Sequence, residues 1–187
     1  MKKLLLIIFL FPIASFAQSE DKFTKKTELG LEFQKYPVGF MPMLTANVFT
    51  KKDFALRFRI GANIADRKDN SNFNDYEEAS GFGASFGVVK YLPNGNGNFI
   101  FGATLDTWNM WTNWKDNLNT AMPTQGKTYT LVIQPWINAG YLYNFSDKIN
   151  GGLSLGFGRE INVITNGERV GEGFMGIATV SINYKLN

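Results

Sequence analysis

Residues 54–64 read Phe-Ala-Leu-Arg-Phe-Arg-Ile-Gly-Ala-Asn-Ile. Phe54, Leu56, Phe58, Ile60, Ala62 and Ile64 fall on one parity, and Ala55, Arg57, Arg59, Gly61 and Asn63 on the other. Alternation with period two marks a β-strand with one apolar and one polar face. About eleven residues is also the length at which a tilted strand crosses a bilayer. The fold therefore turns on which solvent each face meets.

Working outward, the same rhythm recurs. Strands are expected at Thr27–Tyr36, Met43–Thr50, Ser80–Tyr91, Phe99–Trp108, Thr128–Phe145, Ile149–Ile161 and Gly173–Leu186, eight in all with the opening stretch. Pro135 interrupts the sixth; lacking an N–H for the ladder, it predicts a bulge or a local break there. Lys51-Lys52-Asp53 and Ser146-Asp147-Lys148 read as tight turns, and Leu92–Asn98, with Pro93, Gly95 and Gly97, as a turn by composition. Ala65–Ala79, Asn109–Lys127 and Asn162–Glu172 read as long polar loops, and the first link, holding Pro37, Gly39 and Pro42, as a short one. No stretch has the period of a helix, and nothing marks a second domain. Residues 18–187 read as one all-β domain.

Two architectures place eight antiparallel strands with one apolar face: a soluble lipocalin-like barrel with that face inward, and a membrane barrel with it outward. The polar set decides between them. It is mostly glycine, serine, threonine and asparagine, with Glu28, Glu32, Arg57, Arg59, Asp106, Glu160 and Lys185 nearly balanced in sign. Small residues and paired charges suit the narrow interior of an eight-stranded barrel, whereas a water-facing surface would carry many more lysines and glutamates. Facing Arg57 and Arg59 to lipid would cost about 2–4 kcal/mol each near the midplane. These seven charges are therefore expected inside, as a structural ion network. The aromatics predict two girdles: Phe54, Phe99, Tyr143 and Tyr184 near the short turns, and Tyr36, Phe82, Trp108, Tyr129 and Phe174 near the long loops.

Residues 1–17 read as an export signal. Lys2 and Lys3 precede an apolar run from Leu4 to Pro12, and Ser15 and Ala17 are the small residues a signal peptidase reads, so the mature chain is expected to begin at Gln18. No later stretch of the 187 residues is apolar enough for a membrane helix. The formal charge is +3 without a basic patch interleaved with aromatics, which does not suggest a nucleic-acid partner. The chain has no cysteine and no histidine. Thiolate chemistry, the commonest general base and the commonest metal ligand are thereby excluded.

On this architecture the mature chain resembles the small OmpA/OmpX-like outer-membrane barrels of Gram-negative bacteria. The resemblance implies turns in the periplasm, long loops outside the cell and partnership with the bilayer and its lipopolysaccharide. It departs at the C-terminus, where Tyr184-Lys185-Leu186-Asn187 sets inward the aromatic residue with which that family usually ends. The family includes lipid-modifying enzymes, but those that hydrolyse acyl chains use a histidine beside a serine. Ser85, Ser154 and Ser181 have none here. No catalytic, cofactor or metal site is expected; Asp66, Asp69, Asp75, Glu77 and Glu78 lack the spacing of a calcium loop and read as solvated. Trp111 and Trp114 are placed in an outer loop, as candidate contacts for lipopolysaccharide, sugar or a partner. The expected role is a non-enzymatic scaffold, adhesin or accessory subunit beside other outer-membrane proteins, with a small pore or carrier, and a lipid-modifying enzyme, as the alternatives.

Overall fold

The computed structural model describes residues 26–68 and 73–186. Eight strands form one sheet: β1 (Thr27–Tyr36), β2 (Gly39–Lys51), β3 (Phe54–Lys68), β4 (Tyr76–Asn94), β5 (Gly97–Asp116), β6 (Thr124–Asn144), β7 (Ile149–Asn166) and β8 (Gly173–Leu186). Each strand pairs with its sequence neighbours, and β1 pairs antiparallel with β8, closing the ring. The expected export signal lies outside the described residues.

Burial runs opposite to that of a water-soluble domain. Ile60, Phe82, Ile137 and Leu155 are 59%, 61%, 63% and 72% exposed, while Arg59, Asp106 and Gln134 are at most 2% exposed. A continuous apolar surface of this extent is far beyond what soluble monomers carry. The period-two pattern thus resolves as a transmembrane up-and-down barrel, with Phe58 and Ile60 outward and Arg57 and Arg59 within. No helix among the described residues is long and apolar enough to cross a membrane.

The half of the barrel away from the β2–β3, β4–β5 and β6–β7 turns is taller and more regular than the sequence suggested. β4 begins at Tyr76, β5 continues to Asp116, β6 starts at Thr124 and β7 runs to Asn166. Most of the expected loop Asn109–Lys127 and the first part of Asn162–Glu172 are therefore strand, and Trp111 and Trp114 stand on β5 rather than in a loop. Above the bilayer both faces of a strand meet water or polar groups, so the ladder continues without the apolar alternation that reveals it. The link between β1 and β2 is only Pro37 and Val38. The rim is therefore low at the β1–β2 hairpin and high from β4 to β7.

At Pro135 the ladder from β6 to β7 skips Gln134 and Pro135 without changing register, while the register shift falls between Leu131 and Val132. Two aromatics expected in the outer girdle turn inward instead: Tyr36 is 2% and Trp108 0% exposed. Their parity on β1 and β5 places them with Gln34 and Asp106, on the lumen side. Glycines on the lumen side give the inner rings room. A Cβ at Gly83 would collide with the Trp108 ring, and one at Gly158 with the Cβ of Trp136.

Candidate functional site

The lumen is filled in layers. Near the end that carries the β2–β3, β4–β5 and β6–β7 turns Phe49, Tyr91, Ile100 and Leu142 pack together, with the Phe49 and Tyr91 rings 4.8 Å apart. Beside this layer Asn150 Nδ2 donates to Glu28 Oε1 at 2.9 Å, and Asn183 Nδ2 donates to Asn150 Oδ1 at 2.8 Å.

The central layer is built around Arg59 of β3, whose side chain is wholly buried. Nη1 lies 2.5 Å from Glu32 Oε1 on β1, and Nη2 lies 2.6 Å from Asp106 Oδ1 on β5. Nε and Nη2 also donate to Ser85 Oγ on β4, at 2.9 and 2.8 Å. The guanidinium sits 4.8 Å from the centre of the Trp136 ring, whose Nε1 donates to Asp106 Oδ2 at 3.0 Å. Arg57 is the looser partner, with Nη1 3.8 Å from Glu32 Oε2 and Nε donating to Asn47 Oδ1 at 2.8 Å. Two cations balance two carboxylates, and their polar atoms are bonded across six strands, β1 to β6. Such a cluster tolerates burial because every charge is paired and hydrogen-bonded.

Above it lies a second apolar layer that includes Met41, Met43, Trp108, Trp136, Met175 and Ile177. A second ion cluster then closes the mouth. Arg67 Nη2 lies 2.6 Å from Glu160 Oε1, and Nη1 3.2 Å from Glu77 Oε2. Gln134 donates to Glu160 Oε2 at 3.4 Å and accepts from Trp108 Nε1 at 2.9 Å, while the Tyr36 hydroxyl donates to Asn63 Oδ1 at 2.6 Å. Glu77 also holds the last outer loop: Gly171 N donates to its Oε1 and Oε2 at 3.1 and 3.0 Å, and Asn74 Nδ2 to Oε1 at 2.8 Å. Val170 beside it is buried.

The seven expected interior charges thus fall into separate groups. Glu32, Arg57, Arg59 and Asp106 meet at the centre, and Glu160 stands at the mouth. Glu28 and Lys185 face each other in register, but the Lys185 ammonium donates to Asn144 Oδ1 at 2.7 Å. Arg67 and Glu77, read from sequence as loop residues, complete the mouth cluster; Glu77 is fully buried, not solvated. The signal that could have placed them is parity, since Arg67 continues the Arg57, Arg59, Asn63 series of β3. No cluster suited to a metal ion occurs among the described residues.

Trp111 and Trp114 point to opposite sides of β5. Trp111 is 48% exposed and sits between Phe82 and Tyr129, with ring centres 5.6 Å from each. Tyr129 donates its hydroxyl to Asn109 Oδ1 at 2.8 Å, completing an aromatic belt on the outer surface. Trp114 shares the lumen parity of Thr112 and is half-buried at the mouth. Beyond the belt β5 and β6 stay paired from Thr112↔Thr128 to Asp116↔Thr124. That adds about 17 Å of strand, at roughly 3.4 Å per residue. β4 keeps pace to Tyr76, and β7 extends past its last β8 partner, Glu160↔Gly173, to Asn166. The upper β7 edge at Ile161–Asn166 therefore has no β8 strand beside it; Glu172 caps the Asn162 N–H at 2.8 Å.

No protein-family profile matches the sequence, and a comparison with curated proteins finds no match. Solved structures do match. Neisserial surface protein A aligns over 87% of this chain and 96% of its own, with 9% identity and a TM-score of 0.57. A major outer membrane protein from Thermus thermophilus aligns over 88% of this chain and 100% of its own, with 9% identity and a TM-score of 0.59. At this identity the likeness speaks for the fold alone: the chain has the architecture of the small eight-stranded outer-membrane barrels.

Proposed function

We propose that this protein is a non-enzymatic barrel of the Gram-negative outer membrane that works by contact at the cell surface, as an adhesin or as an accessory subunit of a larger envelope complex. The observation that carries the reading is the contrast between a filled lumen and a raised outer wall. Strands β4 to β7 continue past the aromatic belt into water, where a barrel that served only as a membrane plug would end. The wall offers exposed Asn113, Lys115 and Lys127, the aromatic Trp111 and an open β7 edge, a combination of polar, aromatic and backbone groups suited to a protein partner.

Residues 1–17 serve as the export signal in this reading, so amino-terminal sequencing of the membrane-bound protein should begin at Gln18. Contact is tested by placing a photo-crosslinking side chain at Asn113 in intact cells. Discrete adducts are expected there and not from the lumen position Ser85. Shortening the β5–β6 hairpin by Thr112–Thr128 should abolish the adducts while the barrel still inserts. Adducts that persist in the shortened variant would refute the wall as the contact surface.

The pore alternative meets the Arg59 layer, in which one guanidinium bridges to Glu32 and Asp106 across the lumen. Purified barrel in planar bilayers is expected to stay silent; steady conductance steps would reinstate that alternative. A hydrolytic lipid-modifying role meets the absence of any histidine to activate a serine. An unchanged lipid A acylation pattern in a deletion strain is the expected result.

A further inference from the structure

The outer wall is not evenly covered. Phe33 of β1 lies opposite Pro42 of β2, and Ala62 of β3 opposite Phe82 of β4, so two small residues stand between two large rings. The β2–β3 ladder passes from Phe40↔Ile64 to Met43↔Gly61 with no pairing between, at the place where Pro42 has no N–H to give. The result is an apolar groove of about 820 Å³ in the lipid-facing surface, lined by Phe33, Pro42, Leu44, Ile60, Phe82 and Val180.

A cation stands just beyond the groove, at Lys35, the next outward position after the lining residue Phe33 on β1. Lys35 follows Leu31 and Phe33 on the outward parity of β1, is exposed, and lies opposite Ala178 and Phe40. It is the last residue of the outward set before the Pro37–Val38 turn, so it marks where the low rim leaves the hydrocarbon. On the opposite side of the bilayer Lys90 also faces outward, but it is paired with Asp53. The Lys35 ammonium has no ion-pair or hydrogen-bond partner among the described residues. A lysine at the edge of a membrane wall meets headgroups, and its ammonium is a point donor for phosphate.

We infer that the groove and Lys35 together form a lipid site, which takes an acyl chain of lipid A between Phe33 and Phe82 and one of its phosphates on the Lys35 ammonium. The inference rests on the outer-membrane reading above, since it places this end of the barrel in the outer leaflet. The charge selects among occupants. A second copy docked on this face by a two-fold axis would bring two Lys35 side chains together, like charge on like, in the interface. A phosphorylated lipid brings the opposite charge at the right end of the groove.

The test is native mass spectrometry of the full mature barrel released from phosphatidylcholine vesicles. The vesicles are doped with lipid A, with dephosphorylated lipid A, or with phosphatidylglycerol. Folding of every variant is first read from heat-shifted gel mobility, which reports on the barrel and not on the groove. Wild type should retain one lipid A molecule in preference to either of the other two. Lys35→Gln should lower lipid A retention ~10-fold, the value of one charge-assisted contact. Ala62→Phe, an outward position that tolerates a larger apolar side chain in lipid, fills the groove and should lower retention of lipid A with and without phosphates. Lys148→Gln, exposed in the turn between β6 and β7 at the other end of the barrel, should leave both unchanged. Equal lipid A retention by wild type, Lys35→Gln and Ala62→Phe would overturn the inference, and so would phosphatidylglycerol held as well as lipid A.

Discussion

The two buried ion clusters are built from the same residue types and behave as different devices. The central one joins Arg57 and Arg59 to Glu32 and Asp106, is balanced in charge, and all its partners stand on strands. The mouth cluster sets Arg67 against Glu77 and Glu160, and the Glu77 carboxylate also accepts from backbone and amide donors of Gly171 and Asn74. The first ties strand to strand across the lumen. The second ties the barrel to the loop above it. Position explains the difference: at mid-membrane only strands are within reach, while at the rim the chain turns back and offers unpaired N–H groups that a carboxylate can accept.

From that difference the largest effect belongs to the centre. Arg59→Met leaves Glu32 and Asp106 buried with only Arg57 nearby, and should cost about 3–5 kcal/mol in urea unfolding of the refolded barrel. Converting Glu32→Gln and Asp106→Asn in the same chain should recover most of the loss, because neutral amides can be satisfied by Ser85, Gln34 and Trp136 without the cation. A single Arg59→Met variant as stable as wild type would mean that the cluster holds nothing together.

The mouth should respond less. Arg67→Met removes the cation shared by Glu160 and Glu77, but Glu77 keeps its bonds to Gly171 and Asn74, and the cluster lies near water at the rim. A loss of about 1–3 kcal/mol is expected. A cost equal to that at Arg59 would show that the two clusters do the same job.

The same contrast explains what could be read from the sequence. Arg57, Arg59, Glu32 and Asp106 were legible because each alternates with residues such as Phe58, Ile60, Phe33 and Leu105 that must face lipid. Arg67 and Glu77 were not, because their outward neighbours Asp66, Tyr76 and Glu78 are polar or amphipathic, and a strand with two wet faces has no hydrophobic period. Trp111 and Trp114 were lost to a supposed loop for that reason. Tyr36 and Trp108 show the opposite case: an aromatic near a strand end fits a girdle by composition, and only the parity of β1 and β5 shows that the ring points in. The filled lumen, with its tryptophan and methionine layers, follows from the same inward parity applied to residues that composition alone assigns to lipid.

The smallest expected effect is the most selective. Glu77→Gln keeps the size and one acceptor oxygen of the side chain but removes the charge that Gly171 N and Arg67 both address. Arg67 retains Glu160 at 2.6 Å, so the strands should stay tied and global unfolding should shift by no more than about 1 kcal/mol. The loop loses a charge-assisted bond, so its amides should exchange faster while those of the central strands do not. Hydrogen exchange at Gly171 is expected to rise on the order of tenfold, with the amides of Arg59 and Asp106 unchanged. Faster exchange at both places would mean that the mouth cluster carries the barrel as well as the loop. No change at Gly171 would mean that the loop is held by Asn162, through its bonds to Val170 and Glu172, rather than by Glu77.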